Sequence, residues 1–118
     1  MLVVFANNQV LIAPAGQSVT ITTDPVAVGG NNRATGVTNI HGMFNPSGTG
    51  LSWKMQISMD GQTWVDQGPA LASAVAVGET MQGPGNVTGV YARLEITYGA
   101  TGGYGAATFD VHVNFDRS

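Results

Sequence analysis

Residues 51–64 read LSWKMQISMDGQTW. Leu51, Trp53, Met55 and Ile57 alternate with Ser52, Lys54 and Gln56, the period of two that sends apolar side chains to one face of a strand and polar ones to the other. The alternation breaks at Asp60-Gly61, a pair that tolerates the positive φ of a type I′ hairpin turn at little cost. The strand should therefore fold back on itself. A two-residue loop places Trp64 opposite Ile57, on the core face with Trp53 and Met55, and pairs Ser58 with Thr63 on the outer face. It also places Asp66 opposite Met55, where a carboxylate is costly, so the ladder should end or bulge there. A three-residue loop with Gly61 in the left-handed region is the alternative. It shifts the register by one and turns Trp64 outward, where an exposed indole needs a partner. Burial of the large indole surface favours the first register, with Trp64 as a core anchor. In either case the turn accounts for Asp60, with no need of a ligand.

The same alternation recurs at 90–98, where Val90, Ala92, Leu94, Ile96 and Tyr98 share one face, and at 107–115, where Ala107, Phe109, Val111, Val113 and Phe115 do. Shorter strand-like runs lie at 2–5, 9–13, 18–23, 37–44, 63–66 and 70–77. The last, ALASAVAV, mixes helix-favouring alanines with strand-favouring valines and is read as a strand. The Gly-rich connections at 29–36, 45–50, 83–89 and 99–105 are read as surface loops. Many short strands and no helical stripe with caps predict an all-β chain: a single antiparallel β-sandwich domain over residues 1–118.

Charged residues make up 9% of the 118 residues and the formal net charge is −3. Lys54, Arg33, Arg93 and Arg117 are the four cations, too few to neutralise the several phosphates from which nucleic-acid binders draw affinity. With no cysteine, thiolate metal sites and disulfides are excluded. No apolar run reaches the length of a membrane span, and the start lacks the basic region of a secretory signal, so synthesis in the cytoplasm is expected.

Candidate chemistry is sparse. His41 and His112 sit in alternating runs, a nucleophile pairing with Ser58 or Ser73 has no supporting spacing, and the acidic residues lack a calcium-loop pattern. GGNNRATG at 29–36 has no lysine after its last glycine and departs from a phosphate-binding loop. No cofactor, metal or catalytic residue is assigned. The candidates for a protein interface are Tyr91, Arg93 and His112, read as sharing an outer sheet face, with Tyr104 at a loop tip and Arg33. Aromatic rings beside arginine are enriched at interface hot spots.

Ser58, Asp60, Gly61 and Trp64 match an S-x-D-G-x-x-W hairpin, and in this they resemble discoidin-like, galactose-binding-like jelly rolls and small β-sandwich accessory proteins of tailed-phage virions. The Asp box of sialidase-like propellers differs by one residue between acid and glycine. From the hairpin on, a small-residue segment, GVYARLEITYG, a Gly-rich turn and AATFDVHVNF resemble the layout of phage capsid decoration, or head cement, proteins. The resemblance implies a jelly-roll fold and a non-enzymatic role: binding the outside of an assembled capsid and cementing the major capsid protein lattice. It also implies a homo-oligomer, a trimer by analogy, made in the host cytoplasm and located on the virion. A carbohydrate-binding module on a jelly-roll scaffold is the alternative, with Tyr91, Tyr104 and Arg33 as its materials.

Overall fold

The computed structural model describes residues 1–71 and 74–117. Nine strands follow one another: β1 (Leu2–Ala13), β2 (Ser18–Thr22), β3 (Val26–Ala27), β4 (Asn32–Phe44), β5 (Pro46–Ser58), β6 (Val65–Asp66), β7 (Gly78–Val87), β8 (Tyr91–Ala100) and β9 (Gly105–Arg117). They form two sheets, β1-β9-β4-β7 and β2-β8-β5-β6, with β3 also paired to β8. Apart from β3, the first four strands pair with the last four in reverse: β1 with β9, β2 with β8, β4 with β7, β5 with β6, all antiparallel. The chain is thus one long hairpin rolled over on itself, which is the jelly roll. Residues 58–64 are the tip of that hairpin.

The core fills the space between the sheets. Phe109, Val111, Val113 and Phe115 of β9 face Leu51, Trp53 and Met55 of β5 and Leu94, Ile96 and Tyr98 of β8, all buried. Side-chain hydrogen bonds bridge the layers: Trp53 Nε1 donates to Thr38 Oγ1 at 2.8 Å. The indole fits because β4 has no side chain at Gly36, where an added Cβ would stand 2.8 Å from two of its ring carbons. Tyr98 is buried and its hydroxyl donates to the Phe44 carbonyl at 2.8 Å, while burial pushes its phenol pKa up.

Several expected loops are strand. Most of 29–36 lies in β4, and 46–50 lies in β5. Glycine here answers close packing rather than a turn: Gly36 makes room for Trp53, and Gly50, at φ 57°, lies against the Ala74 carbonyl. The expected pair 2–5 and 9–13 is one strand, β1, with two bulges between Val4 and Gln9 and Asn8 at φ 49°. The expected strand at 70–77 is not formed as such. Among the described residues Ala74 bridges to Leu51, the Leu71 N–H donates to the Trp53 carbonyl, and Val75 and Val77 are exposed; Ala72 and Ser73 lie outside the described residues. The strand comes later, as β7, and runs through the GPG at 83–85 that reads as a loop. Pro84 is tolerated because β7 is the edge of its sheet, where one missing N–H breaks no ladder on the free side.

Candidate interaction surfaces

Side chains wire the hairpin tip. Ser58 Oγ accepts from the backbone N–H of Asp60 (3.2 Å) and Gly61 (2.8 Å) and donates to Asp60 Oδ1 (2.9 Å). The same Oδ1 accepts from the N–H of Gln62 (2.8 Å) and Thr63 (2.9 Å). These donors, the Thr63 and Gln62 N–H foremost and then Ser58, hold the Asp60 carboxyl at about 2, below its ordinary 3.8. The carboxylate is committed to the turn.

Because its pKa is depressed on folding, Asp60 contributes stability that is complete above about pH 3.8 and is lost as pH falls through about 2. In thermal melts of the protein and its Asp60→Asn variant, the wild-type advantage should shrink across that window and vanish below it. A gap independent of pH would refute this assignment.

The register overturns the core position expected for Trp64. Ile57 pairs with Val65 and Gln56 with Asp66, one residue off the two-residue hairpin, and only Gly61 of the central pair has positive φ, at 79°. Ser58 is buried in the turn and does not pair with Thr63 across an outer face. Asp66 is exposed. Trp64 is half-buried on the outer face of the second sheet, where the Arg93 guanidinium carbon lies 4.2 Å from the ring centroid. This is cation–π geometry, and it supplies the partner an outward indole needs.

From Arg93 a polar row crosses the sheet. Arg93 Nε donates to Gln56 Oε1 (2.9 Å), Gln56 Nε2 donates to Asp66 Oδ1 (3.0 Å), and Lys54 Nζ reaches Asp66 (3.3 Å) and Glu95 (3.4 Å). Gln56 and then Lys54 hold the Asp66 carboxyl below its ordinary value, and Asp66 and then Glu95 raise Lys54. Tyr91 completes this surface, its ring over Gly61.

His112 does not share this face. It belongs to β9, in the other sheet, and lies between Val4 and Val37 in the register. Two residues away, Asp110 accepts from the Asn8 N–H (2.6 Å) and pairs with His41 Nε2 (2.8 Å). The Asn8 N–H, followed by His41, holds the Asp110 carboxyl below its ordinary value. Neither histidine pairs with Ser58, whose hydroxyl serves the turn; Ser73 is outside the described residues. Among the described residues, no group of three or more His, Asp or Glu could hold a metal ion.

Arg33 and Tyr104 lie toward opposite ends of the first sheet. Arg33, exposed near the start of β4, is paired in register with Asn86 and Asp116. Tyr104, in the loop before β9, packs on Phe44 with ring centroids 5.3 Å apart, and both are more than half exposed. Asn45, at φ 53°, ties this loop down by donating to the Tyr104 carbonyl (3.2 Å) and accepting from Thr101 Oγ1 (2.7 Å).

One surface was missed in the sequence. Leu2, Val4, Val10 and Ile12 all point to the outer face of the first sheet and are each more than half exposed. The signal was present: LVVF and VLIA are apolar at successive positions, the pattern of a strand covered on both faces. Here only one face is covered.

No protein-family model matches the chain. No curated protein matches it either. Among solved structures it is similar to VP2 in the subviral particle of infectious bursal disease virus, with TM-score 0.61 and 16% identity over 99% of this chain and 32% of that one. A chain of the T13 particle of that virus gives TM-score 0.52 and 16% identity over 99% of this chain and 30% of that one. The protein therefore spans about a third of the viral chains it matches. The module TmCBM61, solved with β-1,4-galactotriose, gives TM-score 0.48 and 8% identity over 97% of this chain and 86% of that one. What is shared with the viral chains is the fold, an antiparallel jelly-roll sandwich.

Proposed function

We propose that this protein is a non-enzymatic structural component of a virion, made in the host cytoplasm, that docks on the outside of an assembled tailed-phage capsid and cements the major capsid protein lattice. The observation that carries this reading is a row of apolar side chains on an outer sheet face. Ile12, Ala106 and Phe44 are neighbours across β1, β9 and β4, and the Tyr104 ring packs against Phe44 at a tilt of 45°. A contiguous exposed apolar patch is costly to keep in water and marks a contact surface. Charged residues are scarce, so few ions would be desolvated at such a contact. The fold, alike to that of viral particle chains, supports the same reading. Purified protein mixed with mature tailed-phage shells should co-sediment to a saturable ratio. The Phe44→Asp, Tyr104→Asp variant should bind at least tenfold more weakly. Failure of the wild-type protein to co-sediment would overturn the proposal.

A second reading, carbohydrate binding, is favoured by the other sheet, where Trp64 and Tyr91 stand beside Arg93, Gln56 and Asp66. An aromatic surface next to polar groups suits a sugar ring. Sugar-competable binding on a glycan array, lost in Trp64→Ala, would promote it over cementing.

A further inference from the structure

The edges of the two sheets differ in how well they are protected. Native proteins blunt an unpaired edge by keeping it short or placing proline, charge or a bulge on it, because a bare edge pairs with other chains. β6 has two residues and β2 has five, and β7 carries Pro84, Glu79 and a register shift. β1 is 12 residues long and ends the order of its sheet, with no Pro, Lys, Arg, Asp or Glu between Leu2 and Ala13. Its two bulges are confined to the middle, leaving regular ladders at both ends.

The outward side chains of those ladders read Leu2 and Val4, then Val10 and Ile12, symmetric about Asn7. A two-fold axis perpendicular to the sheet at Asn7 would run a second β1 antiparallel to the first. It would set Leu2 beside the partner's Ile12 and Val4 beside the partner's Val10, on the same face. A two-fold interface must be self-complementary in just this sense. The uncovered apolar face then gains the neighbours its sequence pattern calls for, in cross-strand apolar pairs.

We propose that a second copy of this chain occupies the free edge of β1, joining the first sheets of two molecules into one continuous sheet through Leu2, Val4, Val10 and Ile12. The inference rests on the reading of the protein as an oligomer but replaces the three-fold state implied by the decoration-protein resemblance with a two-fold one. An edge of about 40 Å and one sheet layer thick buries roughly 500 Å² per partner, at the lower limit for specific interfaces. An interface of this size belongs to the weak, reversible class.

Because the chain has no cysteine, the test is direct. Paired residues on adjacent antiparallel strands are about 4.5–5.5 Å apart at Cα, within disulfide reach. The Val4→Cys, Val10→Cys double variant should oxidise to a covalent dimer, whereas either single variant should not. Sedimentation of the wild-type protein should show a monomer–dimer equilibrium, and Val10→Lys should weaken it at least tenfold. Val10 is exposed, so an unchanged melting temperature confirms that this variant is folded. A monomer at all concentrations, a trimer mass, or cross-linking by the single variants as strong as by the double would overturn the inference. Co-sedimentation with shells is scored separately, so the dimer and the capsid role stand or fall independently.

Discussion

Replacing Trp53 with alanine is expected to lower stability by about 3–5 kcal/mol, the range for a large aromatic deleted from a core. Trp53 is buried between the sheets, and its indole N–H is the donor to Thr38, itself buried. The variant would lose the ring's contacts and leave the Thr38 hydroxyl without that partner, a further cost of about 1–3 kcal/mol if no water enters. Trp53→Phe separates the two terms, keeping much of the apolar volume while losing the donor. Denaturant titration should place it between wild type and alanine. If Trp53→Phe were as stable as wild type, the bond across the layers would contribute nothing.

Gly36→Val is expected to have the next largest effect, for the opposite reason. An added Cβ would lie 2.8 Å from Trp53 Cη2 and Cζ2 and 3.5 Å from a Val113 methyl, and valine adds two further carbons. Overpacking of a well-filled core costs about 1–3 kcal/mol and occasionally more. The milder Gly36→Ala provides the decisive comparison, because phenylalanine at position 53 lacks the ring atoms it strikes. In a double-mutant cycle, Gly36→Ala and Trp53→Phe together should destabilise less than the sum of the two. Additive effects would mean that Gly36 is not kept small by the indole.

The strands at the centre of the sheets were legible because each has one covered face. In 51–57, 90–98 and 107–115 the alternation itself names the buried set, and Trp53, Leu94 and Phe109 are in the core. Trp64 was not legible. Its face depends on whether the backbone or a side chain closes the turn, and here Ser58 and Asp60 close it with their own oxygens. This moves the ladder by one residue, and a shift of one turns every following side chain to the opposite face. Edge strand β7 was hidden for a related reason, since a free edge tolerates Gly and Pro that a central strand would exclude.

Composition excluded a thiolate site, while period-two patterning established a sandwich, because burial on one face of a strand is written in every second residue. Which strands shared a sheet was decided only in three dimensions. Tyr91 and His112 each point outward from their own strand, yet β8 and β9, joined by a short loop, belong to different sheets, so the two side chains lie on opposite sides of the molecule. Alternation is a property of one strand, whereas the partner across the hydrogen bonds comes from elsewhere in the chain. The exposure of the apolar face of β1 follows from the same fact: its sequence has the pattern of a covered strand, and the fold leaves it at an edge.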